Sequence, residues 1–487
     1  MRIRVLSLSV AACTAACGMA VLTPTAFAAG LAKPFDFNGD GYADLAIGSP
    51  YGKVGTKKAA GFVTVTYGSK SGLNTGKRQV LSQDTKGVTG TAEANDHFGH
   101  AVASADFDHD GYADLAVGAP DEDSGAKKNV GAVTVFWGGR SGLGTNAVTA
   151  LPDPTVPAGM RAGLELGASG ANRLGHAYFV WSGVYGWGSA TFTPGGARAA
   201  SGRPAGDLTL HTAPRPGEKP GTARAAAVPL LFKARFAFGN VTGKGESLIM
   251  SSSTEDDAQI SVLDPVNDHS FKLVSSMYAA PGPLAVGDFD GDRHADIAIG
   301  QQNDYYRTGG QVTVFKGSAA GIAPAAKYTI NADTAGVPGA AAKDFRFGAD
   351  VSAGDVNKDG KADLAVGASG TKVGTAASAG GVYLLFGSRG GLTGAKAQWI
   401  SQATAGVPGT AAKGDNLGWQ VSLLDHNKDG YADLVAGAPW DNSGEGSVTL
   451  VRGRSTGFTP VSGAVWYTPK TFGISGKNAQ LGYHIGR

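Results

Sequence analysis

The chain has 487 residues, of which 76 are Gly, roughly twice the usual share, and 17% are charged. An apolar fraction of 42% argues against global disorder, and the shortage of charge argues against a large helix bundle. A formal net charge of +2 with no basic run argues against a nucleic-acid binder.

The N-terminus reads as a secretory signal peptide over residues 1–28. Met1-Arg2-Ile3-Arg4 is followed by an Ala-rich apolar run and then by Ala26-Phe27-Ala28, a small-x-small cleavage site. Both cysteines of the chain, Cys13 and Cys17, lie in that run, so the processed chain would carry no disulfide. A secreted, extracellular protein is expected. Val10-Ala11-Ala12-Cys13 also resembles a lipoprotein cleavage box, which would give a lipid-anchored cell-surface form. The very short apolar run before it favours simple secretion. No later segment has ~20 uninterrupted apolar residues, so no transmembrane segment is expected.

Beyond residue 29 one phrase recurs. It reads DFNGDGYADLAIGSP from Asp36, DFDHDGYADLAVGAP from Asp106, DFDGDRHADIAIG from Asp288, DVNKDGKADLAVGAS from Asp355 and DHNKDGYADLVAGAP from Asp425. A Gly-rich loop and an alternating run follow each copy, which predicts strands. Three copies are preceded by Phe98-Gly99, Phe347-Gly348 or Leu417-Gly418. The gap of 182 residues between Asp106 and Asp288 is too long for one unit. Two faded copies fill it, around Gly170 and Asn240, giving seven units. The chain stops at Leu481-Gly482-Tyr483-His484-Ile485-Gly486-Arg487, an opening strand without its motif, whereas Asp36 opens a motif without its strand. A closed ring is therefore expected, in which the last strand completes the first unit and no sheet edge stays exposed.

The motif is D-x-[DN]-x-D-G-x-x-D. Side-chain oxygens at positions 1, 3, 5 and 9, with a backbone carbonyl at position 7, can converge on one hard cation, and their number suits Ca²⁺. The predicted ligands are Asp36, Asn38, Asp40, Tyr42 and Asp44; Asp106, Asp108, Asp110, Tyr112 and Asp114; Asp288, Asp290, Asp292, His294 and Asp296; Asp355, Asn357, Asp359, Lys361 and Asp363; and Asp425, Asn427, Asp429, Tyr431 and Asp433. So many carboxylates in a tight turn repel one another unless a cation offsets them. This is not an EF-hand, which needs an acid where this chain has Ile47, Val117 and Val366. Position 6 is Gly in four copies and Arg293 in the fifth, where a positive φ costs on the order of 1 kcal/mol and distortion is expected. The Gly170 and Asn240 loops put Leu174, Tyr178, Lys244 and Leu248 at ligand positions and are expected to bind nothing.

The Phe-Gly pair, the acidic loop and Gly118-Ala119-Pro120 or Gly437-Ala438-Pro439 together resemble FG-GAP repeats, the units of the integrin α-subunit β-propeller. The resemblance implies an all-β fold over residues 29–487: a seven-bladed propeller of four-stranded antiparallel blades, with structural Ca²⁺ between the first and second strands of five blades. Blade 1 is expected at about 31–97 plus 481–487, blade 2 at 98–161, blade 3 at 162–231, blade 4 at 232–279, blade 5 at 280–346, blade 6 at 347–416 and blade 7 at 417–480. Blades 3 and 4 are degenerate.

Strand parity puts the two-to-three loops on the face opposite the acidic loops. Those loops carry Tyr51, Tyr305, Tyr306, Arg307 and Trp440, rigid aromatics beside polar groups, which are the candidate ligand-binding residues. The integrin propeller uses the corresponding face. The expected role is an adhesion or ligand-binding module for an extracellular protein or polysaccharide. Gly453-Arg454-Ser455-Thr456-Gly457 matches a nucleophile elbow, but other units write a hairpin turn at the same place, and no enzyme is expected. The alternatives are a carbohydrate-active hydrolase using spare acids such as Asp96, Asp121, Asp304 or Asp441, and a structural matrix protein.

Overall fold

The computed structural model describes residues 32–487 apart from 153, 171–176, 193–207, 214–232, 254–257, 268–269 and 461–462. The expected signal segment with Cys13, and Leu174 of the Gly170 unit, lie outside the described residues. The described chain forms seven four-stranded antiparallel sheets, one per blade of an all-β propeller. Blade 1 is completed by His484–Ile485, which pairs antiparallel with Leu45–Ser49 in the register Ile47↔Ile485 and closes the ring.

The strands follow from residue choice and from where each sits. Phe62–Tyr67 (FVTVTY) is rich in β-branched and aromatic residues and is buried on both faces, because each sheet packs between two neighbours. The outermost strand of the same blade, Asn74–Leu81, is polar and largely exposed. Aromatics fill the seams between blades. Phe98 and Phe347 are fully buried, and Phe98 packs with Phe37, Val65, Val117 and Phe136 across the junction of blades 1 and 2. Burying such a ring contributes about 1.5–3 kcal/mol.

The glycines of the two recurring motifs meet each other across the blade junctions. A Cβ on Gly118 of blade 2 would stand 2.1 Å from the Gly163 carbonyl oxygen of blade 3. The same contact joins Gly48 to Gly99, Gly300 to Gly348, Gly367 to Gly418 and, across the closure, Gly437 to Gly482, at 2.0–2.3 Å. Gly99, Gly163, Gly348, Gly418 and Gly482 all have φ between 82° and 89°. Only glycine allows both this conformation and this approach. The repeat therefore keeps two glycines because successive blades touch backbone to backbone.

The first strand of each blade is innermost, and the acidic loop lies between it and the second strand, with His484–Ile485 supplying the first strand of blade 1 from the C-terminal end of the chain. All five loops therefore lie on one end of the propeller. The two-to-three connections, and the residues just before each inner strand, lie on the other.

Candidate functional site

The acidic loops share one backbone design. The position-1 carboxylate accepts the position-6 N–H, as in Gly41 to Asp36 at 2.9 Å, Gly111 to Asp106 at 3.0 Å, Gly360 to Asp355 at 2.9 Å and Gly430 to Asp425 at 2.8 Å. The position-5 N–H donates to position 3 in Asn38, Asp290, Asn357 and Asn427. The position-7 N–H of Tyr42, Tyr112, His294, Lys361 and Tyr431 donates to Asp40, Asp110, Asp292, Asp359 and Asp429 respectively. Positions 4 and 6 both take positive φ, including the non-glycines His109, Lys358 and Lys428. Arg293 adopts φ 74° and donates its N–H to Asp288 at 2.8 Å, so the Asp288 loop keeps the shape of its siblings and the expected distortion is absent. The ladder of N–H bonds holds Arg293 in a conformation that costs about 1 kcal/mol elsewhere.

Position 9 does more than the spacing suggested. The Asp44 carboxylate takes N–H bonds from Phe37 at 2.9 Å and from Gly68 at 2.8 Å. Asp114 takes Phe107 and Gly138, Asp296 takes Phe289 and Gly317, Asp363 takes Val356 and Gly387, and Asp433 takes Gly453. Each ties its loop to the turn after the third strand. The Gly opening that turn was the available signal, because it recurs 20–24 residues after the ninth position. Gly453 opens the supposed elbow, which is this hairpin turn, with Gly457 N–H bonded to Arg454 O at 2.8 Å.

Burial raises these ninth-position acids: Asp44 to about 8, Asp296, Asp363 and Asp433 to about 7, and Asp114 well above the carboxylate range. Backbone hydrogen bonds oppose the rise and neighbouring acids add to it, Asp108 most strongly beside Asp114. Carboxylate oxygens of Asp106, Asp108 and Asp114 lie within 4.8 Å of one another, as do those of Asp288, Asp290 and Asp292. Asp36 Oδ1 and Asp433 Oδ2 are buried without a hydrogen-bond partner among the described residues. Clustered hard oxygens in two loops, and orphaned carboxylate atoms in two others, fit a divalent cation. Protein cations also reach some loops. Lys316 Nζ meets Asp290 at 2.9 Å, Arg454 Nη1 meets Asp429 at 2.9 Å, and Lys361 Nζ lies 3.4 Å from Asp359.

On the opposite end, the candidate ligand residues separate into two places. Tyr51 and Trp440 join one aromatic cluster. Tyr483 lies 5.1 Å from Tyr51, 5.9 Å from Trp419, 6.1 Å from His100 and 6.4 Å from Trp440, ring centre to ring centre. Trp419 and Trp440 meet edge to face at 4.6 Å. Tyr305, Tyr306 and Arg307 sit on blade 5, beyond blade 6. There Tyr305 is 90% exposed and packs edge to face on Tyr306, and Arg307 pairs with Asp333 at 2.6 Å. His100, Trp419 and Tyr483 were missed from sequence. Each directly follows the repeat glycine, in Gly99-His100, Gly418-Trp419 and Gly482-Tyr483.

A family model described as FG-GAP repeat matches residues 27–66, 98–136, 284–315, 347–385 and 417–451, the five segments that hold the acidic loops. The chain carries FG-GAP repeats. These repeats are homologous to those of integrin α subunits. Integrin alpha-PS2 of Drosophila melanogaster is 31% identical over 198 residues, 39% of this chain and 12% of that protein. Integrin alpha-IIb of Mus musculus is 35% identical over 128 residues, 25% of this chain and 12% of that protein. Phosphatidylinositol-glycan-specific phospholipase D of Bos taurus is 37% identical over 107 residues, 22% of this chain and 13% of that protein. The FG-GAP chain thus aligns with about an eighth of the length of these relatives. Among solved structures, a protein from Lactobacillus plantarum superposes with a TM-score of 0.42 at 12% identity, over 84% of this chain and 91% of that one. No helix among the described residues is long and apolar enough to cross a membrane.

Proposed function

We propose that this FG-GAP propeller is a secreted, calcium-braced module that binds an extracellular protein or polysaccharide. The observation that carries the reading is the division of labour between its two ends. Crowded carboxylates line one end, and a partly buried aromatic cluster occupies the other. Secretion rests on the signal-like pattern of residues 1–28. Ca²⁺ would be held by the oxygens of positions 1, 3, 5 and 9 and the carbonyl of position 7 in five loops, and it would supply charge compensation rather than chemistry. The chain's own residues supply the geometry, since the ladder pre-forms each loop and the ninth acid anchors it to the neighbouring turn. Three of the spare acids are structural. Asp121 pairs with His97 at 2.7 Å and Arg161 at 2.6 Å, Asp304 takes the N–H of Gly309 and Asp344, and Asp441 takes the Ser447 hydroxyl.

A second reading, a sugar-active hydrolase, is favoured by Asp96 and Glu122. Burial raises them to about 6 and about 7, and the Asp96 carboxylate adds to the rise at Glu122. Both readings are tested by screening the purified chain against glycans, cell-wall polymers and matrix proteins, in millimolar calcium and in chelator. A specific calcium-dependent hit without turnover supports the binding module. Turnover with a bell-shaped pH profile that Asp96→Asn abolishes replaces it with the hydrolase. A folded, calcium-loaded chain with neither hit nor turnover overturns both.

A further inference from the structure

The five acidic loops belong to blades 5, 6, 7, 1 and 2, which are consecutive around the closed ring. Each loop is bonded to the next. The Ala362 N–H of blade 6 donates to Asp288 O of blade 5 at 2.9 Å, the Ala432 N–H of blade 7 to Asp355 O of blade 6 at 2.9 Å, and the Ala113 N–H of blade 2 to Asp36 O of blade 1 at 3.0 Å. In all three the donor is position 8 of one loop and the acceptor is the position-1 carbonyl of the loop before it. Each of these seams carries a second link. Ser388 N–H donates to Phe289 O at 3.1 Å, Gly139 N–H to Phe37 O at 3.0 Å, and Lys358 Nζ to Asp429 O at 3.0 Å. The fourth seam, between blades 7 and 1, is where the ring closes. There His426 Nδ1–H donates to Ala43 O at 2.7 Å, and the proton belongs to Nδ1 because a carbonyl only accepts. His426 is position 2 of its loop and fully buried, where the other loops carry Phe37, Phe107, Phe289 and Val356.

We propose, resting on the calcium reading of these loops, that the five sites load as one cooperative arc from blade 5 to blade 2. The bonds join ligand to ligand. The position-8 N–H and the position-7 carbonyl belong to one planar peptide unit. That carbonyl is a candidate calcium ligand, and the residue accepting the N–H carries another on its side chain. With its oxygen coordinated, the peptide unit donates more strongly through its N–H, because hydrogen-bonded groups polarise one another. Its tilt is also fixed, and with it the backbone that aims the position-1 carboxylate of the preceding blade. At the closing seam His426 holds the peptide unit that ends in the N–H of Asp44, the ninth acid of blade 1. One effect opposes the coupling, since filling one loop weakens the negative potential felt by the next. Salt at 0.15 M screens that effect beyond about 8 Å, whereas a hydrogen bond acts by contact. The arc ends at blade 4. Ala295 N–H meets Asn240 O at 2.9 Å there too, but the Asn240 loop has no acids, so the bond braces the fold without coupling two sites.

The test titrates the purified, chelator-stripped chain with calcium in 0.15 M salt, read by calorimetry and by hydrogen exchange of the loops. Calcium should bind with a Hill coefficient of about 1.5–2, from a coupling of about fivefold per seam. His426→Leu cuts the arc at the closing seam. It should lower the Hill coefficient, leave the number of ions unchanged, and raise the calcium needed for half-protection of the blade 7 and blade 1 loops by about fivefold. His426→Asn, which can present an N–H at the position of Nδ1, should restore the parent curve. A merely structural histidine would change the melting temperature and leave the Hill coefficient alone. If His426→Leu does not fold, Asp359→Asn gives a second reading by disabling the blade 6 site. The loops of blades 5 and 7 should then need about fivefold more calcium, and the blade 2 loop, two seams beyond blade 7, should shift less. A Hill coefficient of 1 or below, an unchanged coefficient in folded His426→Leu, or unshifted neighbours in Asp359→Asn overturns the arc and leaves the calcium reading standing. No calcium uptake at several millimolar removes both.

Discussion

The Asp106 loop of blade 2 and the Asn240 loop of blade 4 have nearly the same backbone and different chemistry. In both, position 6 donates its N–H to the side chain at position 1, as Gly245 does to Asn240 at 3.0 Å. Both take positive φ at positions 4 and 6, in Gly243 and Gly245 as in His109 and Gly111. The position-1 carbonyl of Asn240 accepts the Ala295 N–H of blade 5 at 2.9 Å, just as that of Asp36 accepts Ala113 N–H at 3.0 Å. Yet Thr242 replaces the third acid, Lys244 the fifth and Leu248 the ninth, and Leu248 is fully buried against Val180 and Trp187. The comparison separates shape from charge. Glycine at position 6 and an Asx side chain at position 1 are what the two loops share. Carboxylates added to the same shape create repulsion and burial costs that a cation relieves.

Removing calcium should separate the two kinds of loop most strongly. At calcium ten times Kd, each occupied site adds about 1.4 kcal/mol, so five sites add about 7 kcal/mol. Chelation at pH 7.5 should lower the melting temperature markedly, and hydrogen exchange should rise in the five acidic loops while the Asn240 loop stays as protected as before. Equal loss of protection in all of them would break the distinction.

The pH dependence in chelator has a defined sign. The ninth-position acids titrate higher when folded than when unfolded, so the native state holds more protons between about pH 4 and pH 7–8. Their contribution is complete below the unfolded carboxylate range and is lost as pH rises through the folded values. Calcium-free protein should therefore melt progressively lower from pH 4 to pH 8, with calcium rescuing most at the upper end. A calcium-free melting temperature that rises over that interval would contradict the burial of these acids.

Asp114→Leu copies the blade 4 solution into blade 2. It leaves the N–H groups of Phe107 and Gly138 without their carboxylate, at about 1–3 kcal/mol each, and should remove one calcium from the titration stoichiometry. An unchanged stoichiometry would show that position 9 is a strut and not a ligand. The reverse graft, Thr242→Asp with Lys244→Asp, should have the smallest effect. It should add less than about 1 kcal/mol to the calcium-dependent stabilisation, because Leu248 still occupies the ninth position. No gain at all would assign most of the affinity to the ninth carboxylate.

The repeat count, the acidic loops and the pairing of the last strand with the first blade were legible in the sequence, because each is written as a local pattern. Asp, Asn and Gly at fixed spacing fold a turn whatever surrounds them, as the Arg293 loop shows by keeping its shape without the glycine. The second role of Asp44, Asp114, Asp296, Asp363 and Asp433 was not legible. Their N–H partners after the third strand lie 20–24 residues downstream, and only the sheet brings them together.

The sequence alone determined the architecture of this protein: seven units, a last strand that completes the first blade, and recurring clusters of carboxylates. Short-range sterics and charge are enough for that. The tertiary structure alone decided what stands together at the other end. His100, Trp419 and Tyr483 belong to blades 2, 7 and 1, and they become neighbours because the ring closes. Arg487 meets Asp350, 137 positions away, for the same reason. Contacts around an axis depend on the closure of all seven blades, and no window of sequence contains it.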